Sequence, residues 1–393
     1  MSAETRIHGY CHPRFARVGD VFAGHFAAGD ELGAALSVVH EGQVVVDLWA
    51  GYADAAKTRP WRRDTLANVW STTKGITALA AHRLVEEGRL DLDAPVATYW
   101  PEFAAAGKES IPVRMLLNHQ AGLAAIDAPL PAAALHDWGR MCAALAVQRP
   151  NWEPGTGHGY HAVTFGWLVG EVVRRVTGQS LGRFFRDTVA GPLGLDFWIG
   201  LPEALEPRVA PVRMPPLGAE PTPFVLAMLN RDSLTSKAFM NPPGLMMPGR
   251  VNGRALRAAE VPAANGVATA RALAGMYTAL ACGGRGRGTE LVDASTLRRM
   301  SMLASDGDDR VLLIPTRFAA GFMKTIDNRP GDSIILGPNA EAFGHGGAGG
   351  SVGMADPVAR VAIGYVMNQM GAGILLNARG QALIDAVYDC LGR

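Results

Sequence analysis

Lysine is scarce in this chain. Among 393 residues there are five, Lys57, Lys74, Lys108, Lys237 and Lys324, so arginine carries most of the positive charge. The formal net charge is only +1 and no dense basic run occurs. That balance excludes an electrostatic case for nucleic acid or an anionic membrane as partner. Cysteine is also rare. Cys11, Cys142, Cys282 and Cys390 form no C-x-x-C and no metal-ligand spacing. They read as buried or free thiols in a reducing compartment. No apolar run approaches the roughly 20 residues of a membrane span. Met1 to Pro13 lacks a basic segment followed by an apolar one, so no signal peptide is expected. The expected location is cytoplasmic. There is no G-x-x-x-x-G-K-[ST] and no dinucleotide-binding turn, so no cofactor is expected.

What is present is a large soluble core. Hydrophobic residues make up 48% and charged residues 19%, a globular composition. The length favours two or three domains, or one interrupted one. Phe15, Val18, Phe22 and Phe26 recur at helical spacing inside an N-terminal arm, residues 1–32. Residues 35–39 and 44–48 flank a Gly42-containing turn and predict a β-hairpin. Residues 111–117 start a helix, and residues 124–200 read as mostly helical. The clearest helix is Phe165 to Val176, and another runs from Thr269 to about Leu280. The last third reads as strands at 317–323, 342–345 and 361–367, closed by a helix carrying Leu383, Val387 and Leu391.

Residues 201–250 differ. Pro211, Pro215, Pro216, Pro221, Pro223, Pro242, Pro243 and Pro248 are interspersed with Met214, Met228, Met240, Met246 and Met247. The stretch predicts little regular structure. It fits either a covering loop with an adaptable apolar lining or a structural crossover. The expected fold class is α+β, an antiparallel sheet flanked by helices with a mainly helical domain inserted. The expected division puts residues 1–70 and 255–393 in the sheet domain and 71–254 in the helical one, with the active site between them.

The chemistry centres on Ser71-Thr72-Thr73-Lys74. Residues three apart share a helix face, so the Ser71 hydroxyl and the Lys74 amine can meet. A serine needs such a base to become a nucleophile. On its own the pattern also describes a helix cap followed by a solvated lysine. Here, however, Ile76, Leu79, Ala80 and Leu84 continue at helical spacing into a core-packed helix. Gly349-Gly350-Ser351-Val352-Gly353 matches G-x-S-x-G, but no histidine follows His345, and a nucleophile elbow would need one. Its glycines read as a tight rim where backbone approaches a ligand. His158 and His161 form H-x-x-H without a completing ligand, so no metal is expected. Tyr160, after the rigid turn at 152–156, is a second candidate base: a lysine ammonium favours phenolate, and the two groups can share a proton.

In order, Ser71-Thr72-Thr73-Lys74, the stretch Leu116 to Leu123, the Trp152-to-Tyr160 loop, Pro192-Leu193-Gly194, Pro262 to Arg271 and the run Phe343 to Gly350 together resemble the serine β-lactamase and penicillin-binding-protein superfamily. Within it they are most similar to class C β-lactamases and family VIII carboxylesterases. The resemblance spans roughly residues 30 to 370. It implies a β-lactamase/transpeptidase-like fold, Ser71 as acylated nucleophile, and Lys74 with Tyr160 as the base system. His345-Gly346-Gly347 stands where the family has Lys-Thr-Gly, which implies an oxyanion hole from the backbone N–H groups of Ser71 and Ala348. His345, Gly346, Gly347 and Trp152 are the implied substrate contacts. The family's Tyr-x-Asn is Tyr160-His161-Ala162 here, so an amide and a fixed cation are both missing. The expectation is a serine carboxylesterase for uncharged, short-to-medium acyl esters. The alternative is a β-lactamase or D-aminopeptidase-like hydrolase.

Overall fold

The computed structural model describes residues 5–215, 222–245, 247, 249–373 and 375–392. Its frame is a nine-stranded sheet drawn from both ends of the chain. Ile7–Cys11 (β1), Gly33–His40 (β2) and Gln43–Gly51 (β3) come from the N-terminal part. Ser305–Asp308 (β4), Pro315–Phe318 (β5), Met323–Lys324 (β6), Phe343–Gly346 (β7), Val352–Asp356 (β8) and Val361–Met367 (β9) come from the C-terminal part. The strand order is β1-β3-β2-β9-β8-β7-β6-β5-β4, with antiparallel neighbours throughout.

The β2–β3 turn has positive φ at both Glu41 (51°) and Gly42 (78°). This is the geometry that matches the twist of a two-residue hairpin. β9 is buried along its whole length, as is nearly all of β2. That explains their continuous apolar sequences: helices cover both faces. Ala270–Ala281 packs on one face, so closely that a Cβ at Gly364 would overlap the Ala270 carbonyl. Ala16–Ala27 (α1) and Ala378–Leu391, which pack on each other, cover the opposite one, towards which Tyr365 points.

The buried centre of the remaining chain is Thr73–Glu86 (α2), apolar nearly all round and packed on Thr164–Thr177. A small second sheet ties its start in place. There Leu66–Asn68 lies between Val209–Ala210 and Val267–Ala268. Among the described residues no helix is long and apolar enough to cross a membrane.

Four expectations need correction. The N-terminal arm holds an edge strand, β1, ahead of its helix; Gly9 breaks the alternation that would have marked it. The strand expected at 317–323 is two strands, because Gly321 turns the chain at φ 92° and the Ala319 amide bonds back to the Phe322 carbonyl. Residues 124–200 contain long non-helical stretches, at 124–131 and 148–163. The 201–250 segment holds two short helices, Pro223–Leu229 and Leu234–Met240, each N-capped by a side chain, Thr222 and Ser233. Pro216, Pro221, Met246 and Pro248 of that segment lie outside the described residues.

Lys108 has no solvent exposure, and its ammonium donates to the carbonyls of Ala105, Ala146 and Gln148. Two of these carbonyls end the helix Trp138–Val147, whose last C=O groups lack partners within the helix. Burial pushes the Lys108 pKa down to about 8, yet the three bonds hold the group. Lys108→Met leaves these acceptors unpaired and is expected to destabilise the fold by roughly 3 kcal/mol. Chemical denaturation monitored by circular dichroism measures this, and an unchanged midpoint would refute it.

Candidate active site

The serine sits where a short 3-10 turn, Trp70–Thr72, runs into α2. The turn starts from a strained residue: Trp70 has φ 47°, an uncommon conformation for a bulky side chain. Its neighbours hold it there. The Trp70 amide donates to Asn68 Oδ1 at 2.7 Å, and the Thr73 hydroxyl donates to the Trp70 carbonyl at 2.5 Å. Thr73 Oγ1 in turn accepts from the Gly266 amide. Ser71 is thereby half-exposed at the head of a buried helix. Its own N–H, second in the turn, has no intrahelical acceptor.

Lys74 is wholly buried. Its Nζ lies 3.3 Å from Ser71 Oγ, 2.8 Å from the Ala162 carbonyl and 2.9 Å from the Ala263 carbonyl. It also sits 4.6 Å from the centroid of the Tyr160 ring. Burial alone drives its pKa well below the ordinary lysine value. The neutral amine fits this geometry. Its two N–H groups go to the two carbonyls, and its lone pair is left to face Ser71.

Tyr160 is 4% exposed, with its hydroxyl towards Ser71. The serine lowers the phenol's pKa somewhat, but burial outweighs this and the net shift is upward. The hydroxyl makes no well-formed hydrogen bond among the described residues. The ring stacks on Phe318, centroids 6.0 Å apart, and meets His119 at 5.1 Å.

His345 lies on β7 with Nδ1 2.6 Å from the Gly346 carbonyl. Burial pushes its pKa down to about 3, so the ring is neutral. Nδ1 therefore carries the proton, and Nε2 is a bare acceptor with no partner among the described residues. After it the chain turns. The Gly347 amide donates to the Ser351 carbonyl at 2.7 Å and the Gly350 amide to the Gly347 carbonyl at 3.0 Å. Ala348 is the second residue of this turn. Gly347 packs so closely on Val69 and Thr72 that a Cβ there would overlap them, which brings this turn against the one that carries Ser71.

Ser351 is fully buried and its hydroxyl donates to the Val69 carbonyl at 2.9 Å. It braces the two turns together. Trp152 is 8% exposed. Its indole N–H donates to the Gly157 carbonyl, its ring meets His161 edge-on, and Arg310 lies over one face. It supports the loop that leads to Tyr160. His158 and His161 are both engaged locally. His158 Nε2 bonds Thr316 Oγ1 at 2.8 Å; His161 accepts from the Leu123 amide and donates to the Gly159 carbonyl. Among the described residues no group of three or more His, Cys, Asp or Glu side chains could hold a metal ion.

Two residues of the site escape sequence reasoning. Asp309 is buried and accepts from the amides of Tyr160, Val311 and Leu312 and from the Thr316 hydroxyl, so it anchors the backbone of Tyr160. His119 adopts φ 65° and wedges among Tyr160, Phe165 and Phe318. No local pattern marks either; their partners are 149 and roughly 40 or more residues away along the chain.

A beta-lactamase family model matches residues 20–386. Across 379 residues the chain is 40% identical to the esterase/beta-lactamase LipL of Mycobacterium tuberculosis, covering 94% of this chain and 84% of that protein. Its structure resembles that of a family VIII carboxylesterase with a TM-score of 0.89 and 44% identity, covering 98% of this chain and all of the other. It also resembles a penicillin-binding-protein homologue from Caulobacter crescentus, with a TM-score of 0.86, 42% identity and the same coverage.

Proposed function

The chain belongs to the beta-lactamase family and is a serine ester hydrolase, and from that premise we propose that it cleaves uncharged, short-to-medium acyl esters through an acyl-enzyme on Ser71. The observation that carries the reading is the wholly buried Lys74 Nζ, held between Ser71 Oγ and two backbone carbonyls. Lys74 takes the hydroxyl proton as Ser71 Oγ attacks the ester carbonyl. The carbonyl oxygen gathers negative charge beside the N–H groups of Ser71 and Ala348. The intermediate collapses, the acyl–oxygen bond breaks, and the leaving alkoxide takes a proton from the Tyr160 phenol. Lys74 reprotonates Tyr160. Water then attacks the acyl-enzyme by the same route in reverse and frees Ser71.

The assignment of Tyr160 as donor follows from its raised pKa, and that of Lys74 as acceptor from its lowered one. His345 supports the preference for uncharged esters. A neutral imidazole gives a substrate carboxylate no cation to bind, unlike the lysine of Lys-Thr-Gly. Hydrolysis of β-lactams is a second reading, favoured by the name of the Mycobacterium tuberculosis relative.

Intact-mass spectrometry after a fluorophosphonate probe tests the centre. Wild type and Ser351→Ala are expected to gain one adduct, mapped to Ser71, and Ser71→Ala none; an adduct that depends on Ser351 would reverse the assignment. A p-nitrophenyl ester chain-length series run beside a chromogenic cephalosporin separates the two substrate readings.

A further inference from the structure

Behind the Gly347–Gly350 turn lies a buried polar cluster that the reaction itself does not use. The carbonyl of Gly349 accepts three hydrogen bonds: from Asn377 Nδ2 at 2.7 Å, Arg379 Nη2 at 3.3 Å and the Gly371 amide at 3.0 Å. Three donors on one carbonyl is full use of its lone pairs and more. Arg379 is 8% exposed and is itself tied down. It donates to the carbonyls of Gln369 and Asp30, and it lies 2.8 Å from the carboxylate of Glu31, which also accepts from the Tyr365 hydroxyl. Met370 and Asn377 press against Gly349 and Gly350 so closely that a Cβ on either glycine would overlap them. Both glycines have positive φ, 84° and 118°.

A buried ion pair is a poor source of stability, because desolvating both charges offsets their attraction. What Arg379 and Asn377 do achieve is geometric. They fix the Gly349 carbonyl, and Gly349 directly follows Ala348, the residue proposed above as an oxyanion donor. We propose that Asn377 and Arg379 are positioning residues for the oxyanion hole, with Glu31 and Tyr365 holding Arg379 in register. This rests on the reading of Ala348 N–H as an oxyanion donor. An oxyanion donor must be preorganised where charge develops. A turn of two positive-φ glycines has no side chains of its own to supply that rigidity, and the 369–379 segment supplies it from outside.

Asn377→Asp is the test variant. It keeps the side-chain oxygen that caps the last helix through the Gly380 amide, and replaces the donor to Gly349 with a second acceptor oxygen. Arg379→Lys is the second: it keeps a charge opposite Glu31 but cannot span the carbonyls of Gly349 and Gln369. Turnover is counted per Ser71 titrated with the fluorophosphonate. For each variant kcat with p-nitrophenyl butyrate is expected to fall about 10- to 100-fold, while KM stays within about threefold. Binding of a trifluoromethyl ketone, whose adduct on Ser71 carries an oxyanion, is expected to weaken by the same factor as kcat. If kcat per titrated serine stays within about twofold of wild type in both variants, the inference is wrong, even if the melting midpoint drops. If wild type takes no label at Ser71, the parent reading fails and this one with it. A labelled wild type with unaffected variants removes this inference alone.

Discussion

Lys74→Met is expected to lower kcat/KM for a p-nitrophenyl ester by about a thousandfold or more, within the range general bases contribute. The expectation comes from counting hydrogens. Two backbone carbonyls lie 2.8 and 2.9 Å from Nζ and the serine oxygen 3.3 Å. An ammonium would donate to all three and leave Ser71 with its proton. An amine donates to the two carbonyls and accepts from Ser71. Burial decides between them, and it is the only cause behind the lowered pKa; no carboxylate opposes it. Methionine fills similar space with no lone pair of comparable basicity. The pH dependence carries the same sign. Below its pKa Lys74 is protonated and acylation stops, so kcat/KM rises with pH and levels off well below the ordinary lysine value. Tyr160, shifted upward, stays a phenol across that range. Retention of more than about a tenth of wild-type kcat/KM in Lys74→Met, or a rate that falls as Lys74 deprotonates, would rule out this role.

Acidification is expected to unfold the protein between roughly pH 6 and pH 4. Five buried histidines set this, His82, His119, His158, His161 and His345, each with its pKa lowered chiefly by burial. Burial pushes His82 down to about 4, His161 to about 3 and His345 to about 3, from 6.5 in each case. The unfolded chain therefore takes up protons first as pH falls below 6.5, and stability is lost through the window between the unfolded and folded values. Above 6.5 both states are neutral and the loss vanishes. By pH 4.5 the native state has lost roughly 2.5 kcal/mol from each of His82, His161 and His345, and the full difference is reached only below the folded values. That sum is comparable to the whole stability of a typical domain. Urea midpoints across a pH series measure it. His82→Phe removes one of them, with its ring already neighboured by Phe322 at 6.5 Å, and is expected to flatten the slope. A midpoint unchanged between neutral pH and pH 4.5 would contradict the account.

The functional core was legible because its parts are local or ordered. Ser71 and Lys74 are one helical turn apart, so sequence spacing alone brings them together. The hairpin at β2–β3 and the long helices announce themselves by period and turn chemistry. Less was legible where a single residue reverses the chain, as at Gly321, or where caps override a proline-rich composition, as at Thr222 and Ser233. Tyr160 was legible only as a tyrosine after a rigid turn, and the roles of Ala348 and His345 came from the resemblance alone, since no spacing rule supplies their positions.

The sequence by itself determined which residue types are available: one lysine placed for a serine, a histidine where a cation is usual, and a glycine-rich turn with nothing of its own to stiffen it. Only the tertiary structure decided their chemical state. Lys74 suits its proposed role as base because it is buried and the carbonyls of Ala162 and Ala263 take its hydrogens. Tyr160 suits its proposed role as donor because it is buried on Phe318, with its backbone anchored by Asp309. The Ala348 turn is held by Asn377 and Arg379, from a segment that begins some 20 residues further along the chain. Charge state depends on desolvation and on partners distant in sequence, and neither is written in local pattern.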